Sequence, residues 1–220
     1  MKKIVVVAPH PDDETLGCGG VIKKFLNEKN EVYWIIVTKP NKSIKKFNLY
    51  INEIKKIQNY FKFTKVFKFN FPSTKLDSIP KAKIIKLFKK TFDKISPNYV
   101  FLPYKHDAHS DHQIVNEAST SALKWFRTKS IEKVMIYETL SETNFNFRYK
   151  EGNFFKPNLY IDISKTIKNK IDASKLYKSE FKKHPFPRNL KVIKSLATLR
   201  GSESGFKYAE AFRLIYERQK

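Results

Sequence analysis

The sequence predicts an α/β fold in which helices cover both faces of a doubly wound, mostly parallel sheet. Apolar, β-branched segments typical of buried strands alternate along residues 1–140 with segments of helical spacing. Pro9, Pro72 and Pro103 directly follow three of these apolar segments, and proline ends a strand because it has no backbone N–H to donate. Ligands of such sheets bind beyond the carboxyl ends of the strands, so the residues after each strand are the first candidates for a functional site.

The predicted elements follow one another in a regular order. Strands are expected at residues 3–8, 31–38, 65–71, 99–102, 133–138 and 158–163. Helices are expected at residues 12–29, 44–61, 79–95, 113–126 and, after a cap at Ser164, 164–182. Residues 141–156 are interpreted as a long loop or hairpin, and the remainder from residue 190 as helical around a loop at 200–205. We therefore expect one domain over residues 1–220, with a core at about 1–140 and a C-terminal helical subregion at about 141–220.

Composition narrows the class of protein. The 220 residues carry a formal net charge of +23, and the 44 basic residues are six arginines and 38 lysines. Either the lysines cover solvated helix faces, or they attract an anionic partner such as a phosphate-bearing substrate, an acidic lipid surface or a nucleic acid. Specific nucleic-acid recognition is not expected, because it relies on arginine.

The cellular location is also predicted from composition. No apolar run approaches the about 18 residues that span a bilayer, and the apolar stretch before Pro9 is too short for a signal peptide. The single cysteine, Cys18, cannot form an internal disulfide. We expect a cytoplasmic protein without a transmembrane segment, for which contact with a membrane surface stays open.

Two short segments contain most of the residues that could carry chemistry. His10 precedes the consecutive acids Asp12, Asp13 and Glu14 at the end of the first strand. These carboxylates repel one another unless a cation lies among them, and a metal ion is the simplest solution. The second segment follows Pro103 and contains three histidines, namely His106, His109 and His112.

The spacing within these segments favours a metal site. His10 and Asp13 are three residues apart, as are His109 and His112, and this spacing brings two side chains to one side of a helical turn. Two imidazoles and one carboxylate with an open coordination position are typical of catalytic zinc, Zn²⁺. The same ligands also suit ferrous iron, Fe²⁺, so the identity of the metal stays open.

These motifs together resemble those of the LmbE-like, or PIG-L, family of metal-dependent de-N-acetylases. The resemblance lies in Pro-His-Pro-Asp-Asp-Glu at 9–14, Leu-Gly-Cys-Gly-Gly at 16–20, and Pro103 with His-Ser-Asp-His at 109–112. Residues 69–72 and 200–212 also resemble family segments. The resemblance implies a Rossmann-like fold and a hydrolase that removes acetyl groups from N-acetylglucosamine conjugates, including glycolipids and thiol precursors.

The resemblance also implies a role for each site residue. The implied metal ligands are His10, Asp13 and His112, and Asp12 is the implied general base. Protonated His109 would stabilise the oxyanion and help the amine to leave, and Asp111 would orient His109 or a metal ligand. Glu14 would hold the loop through backbone N–H groups.

Plainer interpretations compete with several of these roles. Asp12 and Glu14 could simply cap the first helix. His106 and His184 are expected to be loop and turn residues, and Cys18 a small packed residue although it could be a soft ligand. Asp107 could contact either the substrate or only its own turn.

One position departs from the family pattern. Many members have an arginine shortly before a glutamate in the helix after strand two, and alignment on Glu53 places Tyr50 there. Lys45 or Lys46 could replace the arginine, but an ammonium cannot form a bidentate fork.

The expected substrate is therefore a small N-acetyl sugar conjugate of the GlcNAc type, which could carry a phosphate or a lipid. The products would be acetate and a free amine. Two alternatives are a metal-assisted hydrolase of another ester or phosphate, and a basic module that binds a nucleic acid or an acidic surface.

Overall fold

A seven-stranded sheet forms the centre of the molecule in the computed structural model, which describes residues 1–40, 44–147 and 154–219. The strands are β1 (Lys3–Ala8), β2 (Glu31–Lys39), β3 (Lys65–Pro72), β4 (Tyr99–Pro103), β5 (Lys133–Tyr137), β6 (Leu159–Asp162) and β7 (Ala209–Glu217). The helices are α1 (Asp13–Asn27), α2 (Ile44–Phe61), α3 (Lys81–Ile95), α4 (Ser110–Ala122), α5 (Ile167–Ser174) and α6 (Leu190–Ser202). The α/β fold predicted from the sequence is confirmed.

The strand order places the two histidine segments side by side. The order across the sheet is β3-β2-β1-β4-β5-β7-β6, and β1 to β5 are parallel. The direction of winding reverses between β1 and β4, which is the point where ligands bind in such sheets. Both segments follow one of these two strands, as the sequence predicted.

Apolar packing on both faces of the sheet fixes this arrangement. Val5 and Val7 of β1 belong to one buried cluster, and Ile4 and Val6 belong to the other. A strand that is buried on both faces consists of a continuous apolar run, and β1 has that character.

The remainder of the chain from residue 190 was predicted to be helical around a loop at 200–205, and for the last segment, Ala209–Glu217, this was wrong. β7 pairs antiparallel with both β5 and β6, so the last segment of the chain joins the sheet. From Phe212 to Glu217, side chains alternate between more buried and more exposed positions, which is the period of a strand. The helical prediction overlooked this alternation in a short segment.

The helix predicted at 164–182 is also much shorter than expected. Thr166, and not Ser164, precedes α5, and its hydroxyl donates to the carbonyl of Gly20. After Ser174 the chain turns, and Tyr177 and Ser179 form hydrogen bonds to carboxylates near the carboxyl ends of the strands. Residues two apart on a helix do not lie on the same face, so the end of α5 lets both residues reach these carboxylates. The helix predicted at 113–126 instead spans Ser110–Ala122.

No helix in the described part of the chain is both long enough and apolar enough to cross a bilayer.

Gly17 of α1 allows this helix to pack closely against Tyr137 of β5. A Cβ atom on Gly17 would lie 2.2 Å from Cδ2 of Tyr137, and the Tyr137 hydroxyl donates to the carbonyl of Val7 at 2.8 Å. The first turns of α1 therefore lie directly against β5.

We predict that Gly17→Ala lowers the free energy of unfolding by about 1–3 kcal/mol, because the added methyl group overlaps the Tyr137 ring. Urea denaturation followed by circular dichroism measures this loss. Gly19→Ala is the control in the same helix, since the nearest atom to its methyl group would be Cγ of Lys170 at 3.1 Å, with no overlap comparable to that at Tyr137. Equal unfolding free energies for the two variants would contradict this account of the packing.

Candidate active site

The junction between β1 and α1 has an unusual backbone. Asp12 has a φ of 115°, which is strained for a residue other than glycine. Its N–H donates to Oε2 of Glu14 at 3.1 Å, which holds this conformation. The Asp12 side chain forms no cap hydrogen bond to α1, so the interpretation of Asp12 as a helix cap is wrong.

The start of α4 supplies the second half of the site. His109 precedes this helix, and its Nδ1 accepts a hydrogen bond from the Asp111 N–H at 3.1 Å. His112 lies in the first turn with its side chain fully buried. The helix therefore begins earlier than predicted because a histidine caps it.

His10, Asp13 and His112 come together as one cluster that could hold a metal ion. Oδ2 of Asp13 lies 3.4 Å from Nδ1 of His10 and 3.3 Å from Nε2 of His112. Within the described ranges, two buried atoms of the cluster have no hydrogen-bond partner, namely Asp13 Oδ1 and His112 Nε2. Because unpaired buried polar atoms are costly, a cation fits this cluster.

Each of the two imidazoles in the cluster is bound to a carboxylate through its other nitrogen. Nε2 of His10 lies 3.0 Å from Oδ2 of Asp111, and Nδ1 of His112 lies 2.8 Å from Oδ2 of Asp107. Such carboxylates fix the tautomer and the ring orientation of metal-binding histidines. The lone pairs that face the cluster are therefore on Nδ1 of His10 and Nε2 of His112.

The ionisable groups of the cluster strongly shift one another's pKa values. Although burial opposes ionisation, the imidazoles of His112 and His10 hold the pKa of Asp13 well below its usual range. Burial lowers the pKa of His10, but hydrogen bonds with Asp111 and Asp13 outweigh it and raise that pKa to about 9. Burial also lowers the pKa of His112, but Asp13 and Asp107 outweigh it and raise that pKa well above its usual value, so a bound metal would compete with protons at both imidazoles.

Burial has the largest effect on the pKa values of Asp12, Glu14 and His109, which lie beside the cluster. It raises the pKa of Glu14 to about 7, and it raises the pKa of Asp12 well above its usual range although Arg188 opposes this. Burial and the neighbouring imidazoles lower the pKa of His109 to about 4. Because Nδ1 of His109 also accepts a hydrogen bond, the ring is neutral with its proton on Nε2. The protonated His109 that the resemblance implies does not fit this bond.

An open cavity of about 260 Å³ lies beside the cluster. Its walls include His10, Asp12, Tyr50, Glu53, His109 and Arg188. The Tyr50 hydroxyl donates to the carbonyl of Thr38 at 2.9 Å, and its side chain lines the cavity. The side chains of Lys45 and Lys46 lie outside the described residues.

Several residues near the site were not identified from the sequence. Arg188 donates to Oδ2 of Asp12 at 2.8 Å, and the Tyr177 hydroxyl donates to Oε1 of Glu14 at 2.7 Å. No local pattern marks either residue.

Asp107, for which two roles stayed open, contacts His112 and accepts a hydrogen bond from Thr143. Its position five residues before a candidate ligand was the available signal in the sequence.

The other sequence candidates lie away from the metal cluster. The His106 ring packs against Tyr104, and His184 is exposed. Cys18 is a buried free cysteine in the apolar core. All three agree with the plainer interpretations.

We predict that Asp107→Asn weakens binding of Zn²⁺ about 10- to 100-fold, because the carboxylate no longer orients the His112 ring. Isothermal titration of the metal-free protein measures this affinity. Asp77→Asn removes an exposed carboxylate outside the site and serves as the matched control. Unchanged affinity in Asp107→Asn would show that the Asp107 carboxylate does not support a metal ligand.

Known proteins resemble this chain along its whole length. Diacetylchitobiose deacetylase of Thermococcus kodakarensis is 22% identical over 231 residues, which cover 98% of this chain and 84% of that protein. The structure of N,N'-diacetylchitobiose deacetylase from Pyrococcus horikoshii superimposes with a TM-score of 0.77 at 21% identity, covering 97% of this chain and 84% of that one.

Another structural relative is described as a different enzyme. The 4-carboxy-2-hydroxymuconate hydratase GalB from Pseudomonas putida KT2440 superimposes with a TM-score of 0.76 at 14% identity, covering 100% of this chain and 98% of that one. At these identities the structural comparisons establish the fold alone.

A match to a family model gives evidence beyond the shared fold. Residues 5–123 match the family described as "PIG-L: GlcNAc-PI de-N-acetylase". This range contains both halves of the site, from His10 to His112. The chain belongs to the PIG-L family of de-N-acetylases.

Proposed function

We propose that this protein is a zinc-dependent hydrolase that removes the acetyl group from an N-acetylated amino sugar of the GlcNAc type. The observation that carries the proposal is the cluster of His10, Asp13 and His112, with its unpaired buried atoms, beside Asp12 at an open cavity. Two imidazoles and one carboxylate leave a coordination position open, which is typical of catalytic zinc. The family and the names of the relatives support the acetamide as the bond that is cleaved.

A divalent cation at this site would polarise the acetamide carbonyl and make water more acidic. His10, Asp13 and His112 would hold that cation, and Asp111 and Asp107 would keep the two imidazoles in the required tautomers.

Asp12 acts as the general base. Its side chain is buried at the edge of the cavity and next in sequence to Asp13, so it can reach a water molecule beside the cluster. It takes a proton from the attacking water and then gives that proton to the leaving nitrogen. A carboxyl group with a raised pKa is suited to holding the proton between these two steps.

His109 stabilises the negative charge that develops on the carbonyl oxygen. Nδ1 of this ring accepts the Asp111 N–H, so Nε2 carries the proton and can donate to the oxygen. A neutral imidazole can act in this way, and its effect is strongest in a buried site. The C–N bond breaks, and the products are acetate and a free sugar amine.

The remaining expectations stay predictions. A sugar with a phosphate or lipid group is a candidate substrate, no specific nucleic-acid partner is expected, and the predicted location is cytoplasmic. Hydrolysis of another ester or of a phosphate is the alternative activity at the same cluster.

We predict that the zinc-loaded protein deacetylates at least one member of a panel of N-acetyl sugar conjugates. Mass spectrometry detects the loss of one acetyl group, and an enzymatic assay detects acetate. Aryl esters and phosphate esters belong in the same panel. Turnover of these esters without turnover of any acetamide would favour the alternative hydrolase.

We also predict that Asp12→Asn lowers kcat about 10²- to 10⁴-fold, because the amide cannot accept the proton from water. Asp77→Asn, which removes an exposed carboxylate, should keep the rate of the unmodified protein. Full acetate release by Asp12→Asn would rule out this residue as the base.

A further inference from the structure

Arg188 brings a guanidinium into the site from a distant part of the chain. It lies just before α6, outside the residues that match the family, and it lines the cavity. Its side chain is only 16% exposed, and that of Asp12 is 1% exposed. A buried carboxylate requires compensation, and Arg188 contributes the largest favourable electrostatic interaction at Asp12.

The Arg188 side chain is held from two directions. Its Nη1 donates to Oδ2 of Asp12 at 2.8 Å, while its Nε donates to Oγ of Ser141 at 2.7 Å and its Nη2 to Oε1 of Glu142 at 3.0 Å. Because the guanidinium is planar and rigid, acceptors on its other edges fix the position of Nη1. The segment after β5 therefore determines where Oδ2 of Asp12 lies.

These contacts indicate that Arg188 positions a group of the protein and does not bind the substrate. The donors of Arg188 already face protein acceptors, including a third carboxylate, Glu180, whose Oε2 lies 3.5 Å from Nη1. A guanidinium that faces three carboxylates is poorly placed to bind a phosphate or carboxylate of a substrate. Loss of Arg188 should therefore affect the rate of reaction more than the binding of substrate.

We infer that Arg188 is a positioning residue of this active site, which holds the Asp12 carboxylate in the orientation needed to take a proton from the attacking water. The inference rests on the proposed function, since it assigns to Arg188 the placement of the proposed base. Arg188 makes no hydrogen bond to His10, Asp13 or His112 in the described part of the chain, so its direct contact is with the base, while only its charge reaches the Asp13 carboxylate.

The test compares zinc-loaded Arg188→Ala with the unmodified enzyme on its best acetamide substrate. We expect a loss of kcat of about 100-fold with KM little changed, because a small misplacement of a catalytic group has an effect of this size. Guanidinium ions added in millimolar amounts should restore part of the lost rate, since they can occupy the vacated space beside Asp12. Zinc affinity should not fall, because Arg188 is no metal ligand and its positive charge lies beside Asp13.

Arg200→Ala is the matched control. The Arg200 side chain is 15% exposed and forms a bidentate pair with Glu138, with both distances 2.7 Å, but it lies outside the catalytic cavity. We expect this variant to lose stability in the same way, to keep its kcat, and to show no activation by guanidinium. The control therefore separates the loss of a buried ion pair from the loss of the positioning contact.

Arg188→Lys covers the case in which Arg188→Ala does not fold. An ammonium cannot reach Asp12, Ser141 and Glu142 together, so we expect a folded protein with a lowered kcat. Full kcat in either variant, or a loss that guanidinium does not reverse in a folded Arg188→Ala, would overturn the inference. An unmodified enzyme that cleaves no acetamide would instead overturn the proposed function, so the two failures are distinguishable.

Discussion

The burial of three consecutive carboxylates at the end of β1 is the constraint on which the rest of the site depends. Asp12, Asp13 and Glu14 are each at most 1% exposed, and ionised groups in such surroundings must be paired or neutralised. Each is compensated differently: Asp12 by Arg188, Asp13 by two imidazoles, and Glu14 by hydrogen bonds with a pKa raised to about 7. Apart from His10, which lies between β1 and α1, the residues that compensate them come from α4, from the turn after α5 and from the segment before α6. The C-terminal subregion is therefore part of the site.

The segment that follows β5 forms hydrogen bonds that position residues of the site. Thr143 donates to Asp107, which holds the candidate metal ligand His112, while Ser141 and Glu142 hold Arg188. One short stretch thus positions both the metal cluster and the proposed base. Positioning the two together favours catalysis, because the base and the polarised carbonyl must meet at one water molecule.

Local patterns in the sequence were sufficient to predict β1, α2 and both histidine segments, because each depends on neighbours in the chain. The helix predicted at 44–61 agrees with α2 at Ile44–Phe61. The compensating partners could not be predicted in this way, since Arg188 meets Asp12 across 176 residues and only the folded chain brings them together. The missed strand β7 has a similar cause, because its place between β5 and β6 is set by the sheet and not by its own composition.

We propose that His10, Asp13 and His112 hold the metal through Nδ1, a carboxylate oxygen and Nε2. A second cluster, formed by His10, His109 and Asp111, is the competing site in the described part of the chain. Anomalous diffraction at the zinc edge from crystals of the zinc-loaded protein distinguishes the two directly. We expect an anomalous peak between His10, Asp13 and His112, with Asp111 hydrogen-bonded to Nε2 of His10. An anomalous peak beside His109 and Asp111, or no peak at either cluster, would contradict this assignment of the ligands.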